Sequence, residues 1–155
     1  MAALCNEGGE IDYWAIREGI KEAIQSYPGL EHLFVDLEPS GDPSMEQTPA
    51  VLVFMASRST PPSMQRIAAG KQTSHRLVFS IWVLHYSPDG LDAAVHARDA
   101  VLAKVEGALM RDRHLNGRLP SGLTLEAGET QTGKDAAFAA AAETLVMMDV
   151  TTFTQ

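Results

Sequence analysis

The stretch "TSHRLVFSIWVLHY", residues 73–86, decides how the rest of the chain is read. Leu77, Phe79, Ile81 and Val83 fall on one side, and Val78, Ser80, Trp82 and Leu84 on the other, which is the period of two of a β-strand. Fourteen extended residues reach about 45 Å, longer than most strands in a domain of this size. Upstream, "AVLVFMA" at 50–56 is a nearly continuous apolar run, suited to a strand covered on both faces. Between the two lies "SRSTPPSMQRIAAGKQ", 57–72, whose prolines, glycine and scattered charges break any regular period. Two strands joined this way predict a hairpin, with 57–72 as an arm that projects toward a neighbouring subunit.

The flanking segments supply the remaining elements. From Asp12 to Ser26, Ile16, Ile20, Ala23 and Ile24 recur at helical spacing, with Asp12 as N-cap and "PGL" at 28–30 as the stop. "HLFVDLEP" at 32–39 reads as a short strand ended by Pro39, and "SGDPSMEQTP" as a polar loop. After the turn "SPDG" at 87–90, Leu91, Ala94, Val95, Val101, Val105, Ala108 and Leu109 trace an amphipathic helix to about Met110. The pair Asn116-Gly117 marks a tight turn, 122–127 a strand and "TLVMMDVTTFTQ" from Thr144 a final strand. "AAFAAAA" at 136–142 is alanine-rich but too short to hold a helix alone, and reads as an extended or single-turn lead into that last strand. The fold class is α+β: an antiparallel or mixed sheet of about five strands, two helices on one face and a long hairpin arm. Residues 1–11 read as a flexible terminus and 12–155 as one domain.

Composition narrows the function classes. Of 155 residues, 45% are hydrophobic and 21% charged, an ordinary globular balance. No apolar run approaches the roughly 20 residues of a membrane helix, so no membrane partner is expected. The single cysteine, Cys5, excludes an internal disulfide, and "MAALC" lacks the basic and apolar segments of a lipoprotein signal. Twelve Lys and Arg against twenty Asp and Glu leave a net charge of −8, which argues against a protein that grips nucleic acid by its phosphates. Arg111, Arg113 and Arg118 are close in sequence, but read as solvated charges at a helix end.

Several motifs invite a chemical reading and fail it. "GETQTGKD", 128–135, has the Gly-x-x-x-x-Gly-Lys spacing of a phosphate-binding loop. Asp135 stands where a magnesium-binding hydroxyl belongs, Glu129 adds a second negative charge, and too little chain follows for the downstream metal-binding Asp. It reads as a connector between two strands. His75 and His85 share strand parity but stand about 33 Å apart, too far to share an ion. His96, with Asp92 and Asp99 at helical spacing, reads as a solvated helix face. Cys5 sits in a loose terminus, and Asp36 and Glu38 read as neighbours on an exposed strand face. No catalytic, cofactor-binding or metal-binding residue is expected, and the chain reads as no enzyme. Met64 and Ile67 among Arg58, Arg66 and Lys71, together with Trp82, are instead the residue types of a subunit interface.

In element order the chain resembles the tail terminator proteins of long-tailed bacteriophages. The resemblance rests on the opening helix "YWAIREGIKEAIQS", on "LFVDLEP" and "PAVLVFMASRS", then on "HRLVFSIWVLHYS", the helix "AAVHARDAVLAKVEGALM", the "HLNGRL" turn and an alternating last strand. It implies a structural virion protein, made in the host cytoplasm. Such a protein forms a ring, typically of six copies, on the last ring of the tail tube, where it stops polymerisation and meets the head-completion proteins. DNA would be passing cargo, and the partners would be further copies, the tube protein and a neck protein. Members of the same assembly, a head–tail joining or tube protein, share that outline; an α+β enzyme for a small ligand is the alternative of another class. The Pro-rich 57–72 segment is longer than the family pattern leads one to expect.

Overall fold

A computed structural model describes residues 10–59, 72–132 and 139–153. In chain order it holds α1 (Tyr13–Gln25), β1 (Phe34–Leu37), β2 (Ala50–Ser59), β3 (Gln72–Tyr86), α2 (Leu91–Arg111), β4 (Thr124–Thr132) and β5 (Ala139–Phe153). The strands form one sheet in the order β1-β2-β3-β5-β4. β1 runs parallel to β2 and every other neighbour is antiparallel, so the sheet is mixed.

Each helix forms where the sequence provides a start and one apolar stripe. The Asp12 carboxylate accepts the Ala15 N–H at 3.0 Å, satisfying one of the donors left open at the start of α1. Ile16, Ile20, Ala23 and Ile24 then face inward, while Val105, Ala108 and Leu109 do the same on α2. Both stripes meet one side of the sheet: Val35, Val51, Val53, Leu77, Phe79, Ile81, Val83, Val146, Met148 and Val150. Leu115, Leu119 and Leu123, from the link between α2 and β4, close that core. Leu115 and Asn116 take left-handed backbone angles beside Gly117, the sharp turn that folds the leucines back beneath the helices.

Three strands are longer than their sequence pattern indicates. β2 continues through Ser57–Ser59 after a bulge, so this part of the expected arm belongs to the sheet. β4 runs from Thr124 to Thr132, and the first five residues of "GETQTGKD" are therefore strand and not connector. β5 begins at Ala139, where Ala139–Ala142 pair with Val83–Tyr86. Pairing overrides the helical preference of alanine there, and the small side chains let α2 come close: Arg98 Nη1 donates to the Ala141 carbonyl at 3.2 Å. β1 covers only Ala50–Val53 of β2, and β4 reaches only Met147 on β5. Beyond those points the sheet narrows to β2, β3 and β5, and residues 60–71 link the ends of its first two strands.

Candidate assembly surface

Both helices lie on one side of the sheet, and the other side carries the opposite parity of every strand. Register sets its rows. Across one row stand Asp36, Leu52, Trp82 and Glu143, from β1, β2, β3 and β5. Phe54, Ser80, Leu145 and Glu126 form the next. The middle of this face is apolar and its flanks are acidic. Leu52, Phe54, Trp82, Leu84, Tyr86, Ala139 and Ala141 line a shallow trough of about 670 Å³, with Asp42 and Thr130–Thr132 at its rim. Burial, and after it the charge of Asp42, push the Tyr86 phenol above its ordinary value, so it is a neutral hydrogen-bonding group here.

Glu143 organises the polar border. Its carboxylate accepts the Ser80 hydroxyl at 2.5 Å and the Glu129 N–H at 3.2 Å. Gly128 and Glu129 lie in the bulge of β4, between the Ala127↔Thr144 and Thr130↔Ala142 pairs. A Cβ at residue 128 would collide with the Glu143 side chain, which is why glycine fits there. The phosphate-like spacing thus begins in a strand bulge, one of whose N–H groups serves a carboxylate of the same chain; Gly133–Asp135 lie outside the described residues. At the narrow end of the sheet Arg76 and Asp149, directly opposed across β3 and β5, form a 3.0 Å ion pair.

On the helix side, Arg17 is clamped. Its guanidinium lies 5.5 Å from the Trp14 ring centre and 5.7 Å from that of Phe79, donates to the Tyr13 carbonyl at 3.0 Å and pairs with Glu38 at 3.5 Å. Glu38 has a left-handed backbone (φ 49°), beyond the end of β1, and its carboxylate accepts the Met55 N–H of β2 at 2.8 Å. Asp36 and Glu38 are therefore not neighbours on one strand face: the first points to the trough side, and the second caps an edge of β2.

The structure separates the interface residues read from the sequence. Trp82 lies in the trough. Arg58 is on the helix side, its guanidinium 5.6 Å from the Tyr13 ring centre and its Nη1 donating to the Tyr13 hydroxyl at 3.3 Å. Met64, Arg66, Ile67 and Lys71 lie outside the described residues. Of the basic trio, Arg118 pairs with Glu22 at 3.2 Å and Arg111 lies 6.0 Å from the Tyr27 ring centre. His96 stands 3.7 Å from Asp92 on an exposed helix face. Among the described residues no three His, Cys, Asp or Glu side chains are grouped to hold a metal ion. Burial alone depresses the His85 pKa. The trough itself was foreshadowed by β3, whose second face carries Val78, Trp82 and Leu84; its acidic flanks, contributed by three other strands and a loop, had no local signal.

No family model matches the chain, and no curated protein does. Among solved structures it is similar to one described as the sheath/tube terminator, in the extended state, of an extracellular contractile injection system. The two are 13% identical with a TM-score of 0.48, over 89% of this chain and 56% of the other. This chain therefore spans little more than half of that protein's length.

Proposed function

We propose that this chain is a structural subunit that terminates a tail-like tube, acting through its surfaces and not by catalysis. The observation that carries the reading is the sheet face opposite the helices. A two-layer domain ordinarily shields one face of its sheet and presents polar side chains on the other. Here the second face presents Trp82, Phe54, Leu84 and Leu145, the composition of an interface core. The narrowed end of the sheet supports the arm reading, because β2 and β3 lead into residues 60–71 at the part of the sheet where no edge strand covers β2 or β5.

In its finer form the proposal is a closed ring of copies, six by the family resemblance, seated on the tube end and facing head-completion proteins in a virion. The net charge of −8 suits a lumen through which DNA slides without being held. Imaging of particles carrying a labelled chain tests this: the label belongs at one end of the tube, and label along its whole length would refute termination. Deleting residues 60–70 should lower the assembly state; an unchanged state removes the arm from the mechanism. A stable monomer that turns over a small molecule seated in the trough would favour the enzymatic alternative.

A further inference from the structure

We propose that the trough is the socket for a second copy's α2 C-terminus, and that this contact joins the subunits head to tail. The inference rests on the self-assembly reading above and names the two surfaces that meet. The socket is apolar along β2 and β3 and bordered by carboxylates: Asp36 and Glu143 end the Trp82 row, Glu126 ends the next, and Asp42 lies on the rim. Among the described strand residues, Arg76 is the sole cation on this face, and Asp149 neutralises it. Asp36, Asp42 and Glu126 have no ion-pair partner among the described residues. Such a surface calls for an occupant that is apolar at its centre and cationic around it.

The chain displays that occupant itself. Met110 on the last turn of α2 is 50% exposed, the flexible apolar side chain that interfaces favour. Arg111 and Arg113 follow it, on either side of Asp112 in sequence; both are exposed and neither is in an ion pair among the described residues, Arg111 resting against the Tyr27 ring. Trp14, Met45 and Leu91 are also exposed, but none of them has two arginines without an ion pair within three residues: the nearest candidate, Trp14, has the Arg17 guanidinium, which Glu38 already pairs. The Met110 knob belongs to the helix layer and the socket to the opposite side of the sheet, so a copy cannot fill its own socket. Knob into socket is a heterologous contact, which repeats from copy to copy and gives a ring where the rotation between copies closes. Arginine over Trp82 or Tyr86 would add a cation–π contact to the charge pairing.

Two variants of the full chain test the contact by sedimentation velocity, with far-UV spectra and unfolding midpoints verifying that each folds. The socket variant carries Asp36→Arg and Asp42→Arg; the knob variant carries Met110→Ser, Arg111→Ser and Arg113→Ser. Each alone should lose self-association and sediment as a monomer. Mixed in equal amounts they should give a species of twice the monomer mass and nothing larger, since one intact knob meets one intact socket. Either variant assembling like the wild type overturns the contact, leaves tube termination standing and assigns the trough to another protein. Monomers in the mixture overturn it as well. Wild type that stays monomeric at every concentration overturns both the contact and self-assembly as a free protein.

Discussion

Replacing Gly128 with alanine isolates a single steric conflict. The backbone at Gly128 is not left-handed, so alanine is conformationally acceptable there; the obstacle is the Glu143 carboxylate, which occupies the space a Cβ needs. Moving it breaks the bonds from the Ser80 hydroxyl and the Glu129 N–H. Hydrogen bonds to a charged group contribute roughly 1.5–3 kcal/mol each when well sheltered, and Glu143 is half-exposed, so the two together are worth about 2 kcal/mol. In a chain of 155 residues that lowers Tm by roughly 4–8 °C. The decisive comparison is a double-mutant cycle with Glu143→Ala, read by urea unfolding. With the carboxylate gone, Gly128→Ala should cost nothing and can gain about 0.5 kcal/mol from a stiffer unfolded chain. Trp82, directly opposite Glu143, gives a local fluorescence signal for the same transition. An equal loss from Gly128→Ala in both backgrounds would refute the steric account and place the cost in the bulge backbone.

Three further outcomes follow from the helix side. Asp12→Ala should lower stability by about 1 kcal/mol through loss of the α1 cap, while Asp12→Asn should keep most of it, measured by urea midpoint. Phe79→Ala, at a fully buried position between α1 and the sheet, should cost roughly 3–5 kcal/mol in the same assay. His85 has its pKa depressed by burial, so the unfolded chain takes up a proton more readily than the folded one, and stability must fall as pH drops below about 6.5 until the folded-state pKa is passed. His85→Gln should flatten that part of a stability–pH profile, and an unchanged slope would assign it to other groups.

How much of this was legible in the sequence depends on where the signal lay. β3 was plain because both of its parities are apolar over a long run, and α1 because its cap and stripe coincide. β4 was read only as far as Ala127, and its second half was hidden for the opposite reason: "TLEAGETQT" is an edge strand, exposed along most of its length, with no buried set to impose a period. The alanines of β5 read as an extended or single-turn lead into the last strand, and only pairing with β3 decides between the two. The polar border of the trough was out of reach altogether. Ser80, Gly128 and Glu143 are scattered over 64 positions and meet only through sheet register, so the phosphate-like spacing of "GETQTGKD" was visible while its actual partner was not.

The paired central strands have a mechanical consequence. β3 and β5 run antiparallel, side by side, for fifteen residues each, a common length of about 50 Å. A pull along that axis loads every rung of the ladder together, whereas a pull across it would peel them apart one at a time. A body built on this beam resists tension best in one direction, and that direction points toward the Ser59 end of β2 and the Gln72 end of β3.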